Sequence, residues 1–147
     1  KILAFVIGAL IILISLQFSP RSPRVDEGEV SVKKASLLIE QGEIMEGVTL
    51  LKTVLEEDPN NLDAIWELGK LSMQSQQFDK AVDRFTKFVS ITQGEEKVSG
   101  LISLSDAHFF NDEKTKALER LNEASKINTD RELDIEIQER ISIINKN

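Results

Sequence analysis

Cysteine is absent from the 147 residues, and histidine occurs once. The first absence excludes disulfides, iron–sulfur clusters, zinc-thiolate sites and a cysteine nucleophile. The second excludes multi-histidine metal sites and weakens any catalytic triad. Glycine-rich phosphate loops and the alternation of β-branched residues that marks strands are also missing. Basic side chains are outnumbered, with 18 Lys and Arg against 25 Asp and Glu and a net charge of −7. Lys1 is the one charge in the first 18 residues, so residues 19–147 carry 17 basic and 25 acidic groups, a net of −8. Such a body repels a phosphate backbone, and nucleic acid is set aside as a partner. The length allows one domain, or one small domain with an anchor.

Residues 2–18 carry no charge, and Ser15 and Gln17 are their only polar side chains. As a helix, 17 residues would reach roughly 25 Å, a little short of a hydrocarbon core of about 30 Å. No initiator Met precedes Lys1, so residues upstream are expected. A cleaved signal peptide needs small residues before its cleavage site, where Ile14-Ser-Leu-Gln-Phe-Ser19 offers bulky ones. A lipoprotein needs a cysteine. The expectation is therefore an uncleaved transmembrane anchor over residues 1–18. Residues 19–27, with Pro20, Pro23, Arg21, Arg24 and Asp26, read as a polar linker. The cations after the span favour a cytoplasmic domain. A trailing domain of about 130 residues can nonetheless translocate regardless of charge, and a periplasmic domain is the leading expectation.

Everything after the linker reads as helix, and it repeats. Ala35 and Gly69 lie 34 residues apart, as do Gly47 and Ala81, Leu51 and Phe85, and Val54 and Phe88. A third register follows at a spacing of 36, with Ser105, Ala117, Leu121 and Ala124. The two extra residues are expected in a loop around Thr92-Gln-Gly-Glu95. Each unit predicts two antiparallel helices that cannot bury their apolar face alone. Small residues at Gly69 and Ala81 allow close approach, while Leu68, Phe78 and Phe85 fill the space. Pro59 ends one helix, and Asn60 or Asn61 can cap the next. After Thr129-x-x-Glu132, which has capping-box spacing, Leu133, Ile137, Ile141 and Ile144 form one stripe of a terminal helix.

The run Asp58-Pro-Asn-Asn-Leu-Asp-Ala-Ile-Trp-Glu-Leu-Gly69, followed by Phe78-Asp-Lys-Ala81-x-x-x-Phe85, resembles the tetratricopeptide repeat (TPR). It departs from that pattern at Ile65, Trp66 and Ser72, where Trp, an ordinary position and Tyr are usual. The resemblance implies an all-α, TPR helical-hairpin solenoid following the transmembrane helix. Its domain would span 28–147, with repeats 28–61, 62–95 and 98–131 and a capping helix 131–145. It also implies a concave groove lined by the first helix of each pair, with Ile39, Asp63, Trp66, Lys70, Met73, Ile102, Asp106, Phe109 and Phe110 as partner-binding residues. Val32, Ser36, Glu40, Gln74 and Ser99 are on the same face, and the terminal helix could cover some of these positions, Phe109 first. Chaperone-binding members grip a C-terminal carboxylate with cations in the groove. The corresponding positions here are Val32, Ser36, Glu67, Ser99 and Ser103, none cationic, so no such clamp is expected.

No enzyme is expected. Glu56-Glu57-Asp58 and Asp112-Glu113 lie at helix ends, where acidic residues are ordinarily solvated. His108 takes the place of the usual Tyr in the third repeat, which predicts a packed or hydrogen-bonded core residue. No metal and no cofactor are expected. The functional expectation is a membrane-anchored adaptor or scaffold binding protein partners in a bacterial envelope complex, with an assembly or chaperone-like role. Two alternatives stay open: a cytoplasm-facing docking receptor, and an accessory subunit held mainly by its transmembrane helix.

Overall fold

A computed structural model describes residues 27–146 of the chain. The anchor expected over residues 1–18 and nearly all of the 19–27 linker lie outside the described residues. Among the described residues no helix is long and apolar enough to cross a membrane. Seven α-helices and no strand occur there: α1 (Glu27–Glu40), α2 (Ile44–Glu57), α3 (Leu62–Gln74), α4 (Phe78–Ile91), α5 (Gly94–Phe110), α6 (Lys114–Ile127) and α7 (Arg131–Lys146). Helices α1 and α2, α3 and α4, and α5 and α6 form antiparallel pairs that stack in chain order, with α7 closing the end against α6 and α5.

The positions that recur in the sequence are the positions that are buried. Ala35, Leu51, Ala81, Ser105, Ala117, Leu121 and Ala124 are fully buried, Phe85 and Val54 nearly so, and Gly47 and Gly69 are enclosed with them. At Gly69 a Cβ would lie 2.6 Å from the Phe85 ring, so the phenyl edge occupies the space a side chain would need. Full burial of one of the larger apolar side chains among them, Leu51, Leu121 or Phe85, contributes roughly 1.5–3 kcal/mol. Phe78 departs from expectation. It is half-buried at the start of α4, and its ring stacks on Phe110 of the next pair.

The two-residue insertion enters a helix rather than a loop. The α4–α5 connection is only Thr92 and Gln93, against Asp58–Asn61 between α2 and α3, and α5 is 17 residues long where α3 is 13. Thr92 is buried, with its hydroxyl donating to the Phe88 carbonyl, and no proline blocks the early start. At Gly100 a Cβ would meet the Phe88 ring at 2.7 Å. The lengthened helix thus lies closely along α4, and the second and third pairs share one continuous apolar core.

The caps follow local chemistry. Asn61 Oδ1 accepts from the Ala64 amide at 3.0 Å and starts α3. At α7 the cap is Asp130, whose Oδ1 accepts from the amides of Glu132 and Leu133. Thr129 does not serve, because the carboxylate one residue later already satisfies those amides. Each turn within a pair closes on a residue with positive φ: Gly42 (89°), Gln76 (56°) and Asp112 (60°). In each, the following amide bonds back five residues, Glu43 to Leu38, Gln77 to Ser72 and Glu113 to His108. The stripe on α7 packs as its period predicts. Ile137 and Ile144 are buried, with Leu133 and Ile141 against the same core.

Candidate functional site

The first helices of the pairs, α1, α3 and α5, together with α7, line one side of the stack. The residues expected on that side separate by burial. Asp63 and Lys70 are exposed, and Lys70 Nζ pairs with Glu67 at 2.8 Å. Ile39 is half-buried against the core of the first pair. Trp66 is half-buried, its ring 5.4 Å from Phe85 and 4.9 Å from Phe88 between centroids. Met73 packs against the second core. Ile102 is 4% exposed and presents no surface to a partner. A side chain that deep serves the joint between pairs.

Asp106, Phe109 and Phe110 are the expected residues that the fold gathers into one place. Phe110 is 56% exposed. Its ring stacks on Phe78 at 5.5 Å and 20°, and meets Phe109 edge to face at 5.6 Å. Asn111 Nδ2 donates to Asp79 at 3.0 Å and ties the same two pairs together beside the rings. A cleft of about 310 Å³ opens between α5 and α7, lined by Asp106, Phe109, Phe110, Arg140, Ile143 and Ile144. On the other flank of the aromatic ridge lies a second cleft, lined by Phe109, Phe110, Asp112 and Lys114.

The terminal helix does reach this side. Arg140 Nε donates to both carboxylate oxygens of Asp106, and its Nη1 lies 2.9 Å from Glu136. Burial pushes the Asp106 carboxyl above its ordinary range, while the Arg140 guanidinium opposes that shift. Phe109 is partly covered in consequence, and Phe110 is not. Sequence reasoning missed Arg140, Ile143 and the role of Phe78. One signal was available, since Asp106 and Arg140 lie 34 residues apart, so the period continues into the last helix.

His108 is buried, with Nδ1 2.6 Å from Glu113 Oε2. Lys116 chiefly, and His108 next, pull the Glu113 carboxyl down to about 2. This pair lies at the α5–α6 turn, where Glu113 accepts from both neighbours and braces the turn. Where TPR sequences commonly carry Tyr, Ser72 accepts from Arg84 Nη1, which also bonds the Leu68 carbonyl. The guanidinium crosses the hairpin to take up that space, and burial lowers its pKa. Among the described residues no three His, Asp or Glu gather as metal ligands.

Residues 38–103 match the tetratricopeptide repeat family. Comparison with curated proteins returns no match. Among solved structures, the N-terminal domain of stress-induced protein-1 (STI-1) from C. elegans has a TM-score of 0.68 at 13% identity, over 78% of this chain and 94% of that one. A crystal structure of MamA has a TM-score of 0.62 at 26% identity, over 69% of this chain and 55% of that one. YrrB, described as a TPR protein with an unusual peptide-binding site, has a TM-score of 0.64 at 17% identity, over 79% and 59%. The chain thus spans just over half the length of the MamA and YrrB structures. The body is a TPR-type helical stack, a fold that serves protein interaction and is generally non-catalytic.

Proposed function

We propose that this chain is a non-enzymatic adaptor or scaffold, tethered to a bacterial inner membrane by residues 1–18, whose helical domain captures a segment of a partner protein in an envelope complex. The observation that carries the reading is the aromatic ridge. Phe110 stands more than half exposed on the first-helix side, braced by Phe78 and Phe109 and flanked by two clefts. A rigid aromatic beside a concavity is the usual anatomy of an interaction hot spot. The likeness to YrrB, with its stated peptide-binding site, agrees with this. The charge-free run over residues 2–18 supports the tether. A tether raises the effective concentration of the domain against membrane partners. The role is assembly of the complex or chaperone-like accessory service.

The test is recovery of partners from detergent-solubilised membranes with the tagged chain and its Phe110→Ala variant. Trp66 is unsuitable for this purpose, because its contacts with Phe85 and Phe88 make it structural. Loss of a specific partner with retained helicity supports capture on the ridge, and an unchanged set of partners counts against it. We place the domain in the periplasm. Arg21 and Arg24, just after the span, favour the alternative of a cytoplasmic docking platform. Because the chain has no native cysteine, one cysteine introduced at exposed Lys126 reports the side directly through a membrane-impermeant maleimide. If the span alone made the contact, replacing residues 2–18 by polyleucine would abolish association.

A further inference from the structure

The charges of the two helix layers differ. Helices α1, α3, α5 and α7 carry 12 acidic and 7 basic residues, a net of −5, whereas α2, α4 and α6 carry 7 acidic and 8 basic, a net of +1. Three of the seven cations on the first-helix side are paired within it, and Lys97 pairs instead with Glu123 of α6. Lys33 pairs with Glu29, Lys70 with Glu67, and Arg140 with both Asp106 and Glu136. Glu40 and Asp63, both exposed, are among the acidic residues there without an ion pair among the described residues, and the cations Lys34, Arg131 and Lys146 lack one too. The Lys33 ammonium is held protonated chiefly by Glu29, with a smaller contribution from Asp63 of the next pair. This acidic row, Glu40, Asp63 and Glu67, lies on α1 and α3, and the aromatic ridge stands where α5 ends, against the start of α4.

Resting on the groove reading above, we infer that the segment this side captures is cationic and apolar: an amphipathic stretch of a partner protein that combines Leu or Phe anchors with Lys or Arg. An apolar side chain of the segment enters the cleft between α5 and α7, against Phe109, Phe110 and Ile143. Its cations lie along Asp63 and Glu67, where an acidic tail would be repelled. Association is thereby steered by charge and anchored by apolar burial, so salt acts mainly on the encounter and truncation of Phe110 on retention. An anionic membrane surface and a nucleic acid are both disfavoured by the same row.

The test uses the full chain in nanodiscs of zwitterionic lipid, with empty nanodiscs as blank. The probes are two labelled 18-residue amphipathic peptides of identical Leu and Phe pattern, one with Lys and one with Glu on the polar face. Fluorescence anisotropy is expected to show the Lys peptide binding about tenfold more tightly than the Glu peptide, with the preference shrinking as salt rises. Asp63→Lys with Glu67→Lys should weaken the Lys peptide about fivefold or more and strengthen the Glu peptide. Phe110→Ala should weaken both. Equal binding of the two peptides, preference for the Glu peptide, or binding of neither overturns the charge assignment. If Glu-peptide binding is preferred but still falls with Phe110→Ala, the groove reading stands and only its charge falls. If binding ignores Phe110→Ala, the groove reading itself falls. Concentration-dependent self-association that is lost with Asp63→Lys and Glu67→Lys would make the occupant a second copy of this chain and overturn the inference.

Discussion

Arg140 Nε reaches both oxygens of Asp106, at 3.0 and 3.1 Å, and so fastens the last helix across the helix that begins the third pair. Both side chains are about 30% exposed, so solvent screens the pair and its worth is modest. Removing the cation leaves a carboxylate that burial already disfavours. Arg140→Met should therefore lower stability at pH 7 by about 1 kcal/mol. The loss should shrink near pH 4, where Asp106 can take up a proton. Urea unfolding of wild type and variant at both pH values checks this.

Glu113 behaves in the opposite sense. Its folded pKa of about 2 lies below the ordinary 4.5, held there by Lys116 and then His108. Its contribution is present above pH 4.5 and is lost as pH falls through about 2. Glu113→Gln should flatten the decline of thermal midpoint with acidification in that window and leave the slope near neutrality unchanged. A variant curve parallel to wild type throughout would show that Glu113 does not carry this linkage.

Ser105 occupies the place that Gly69 holds one register earlier and Ala35 two registers earlier, and its hydroxyl is buried without a hydrogen-bond partner. Ser105→Ala removes that unsatisfied oxygen and leaves a cavity smaller than a methyl group. It should raise stability by about 1 kcal/mol, read as an upward shift in denaturant midpoint at constant slope.

The three turns within pairs share one backbone shape, but only the first has glycine at the positive-φ position. Gln76→Gly and Asp112→Gly should each stabilise by about 0.5–1 kcal/mol, whereas Gly42→Ala should cost about 1 kcal/mol. Thermal melts of the three single variants test the sign. A loss at Gln76→Gly would show that its side chain contributes more than the strain costs.

The architecture was legible because it rests on local periodicity. A spacing of 34 between Gly47 and Ala81, or Leu51 and Phe85, is a statement about which helix face can be apolar, and buried faces admit few residue types. Asn61 capped its helix as its chemistry predicted. Thr129 did not, because Asp130 competes for the same amides, and two good caps in succession are not ranked by spacing. The insertion was legible in size but not in place. Nothing local distinguishes a longer loop from one more helical turn until Gly100 is seen to admit the Phe88 ring.

The candidate site was less legible. A repeat pattern assigns a side to each residue, and it placed Trp66, Ile102 and Phe110 alike. Depth within that side depends on the neighbouring pair, which sealed Ile102, half-covered Trp66 and left Phe110 open. From the residues alone came the helix count, the period, the apolar stripes and the acidic excess, since each depends on spacing along one chain. The meeting of Asp106 with Arg140, of Phe78 with Phe110, and the cleft beside them arose only in three dimensions. Contacts between pairs depend on how far each helix slides and tilts against the next, and that is set by side-chain packing across residues distant in sequence.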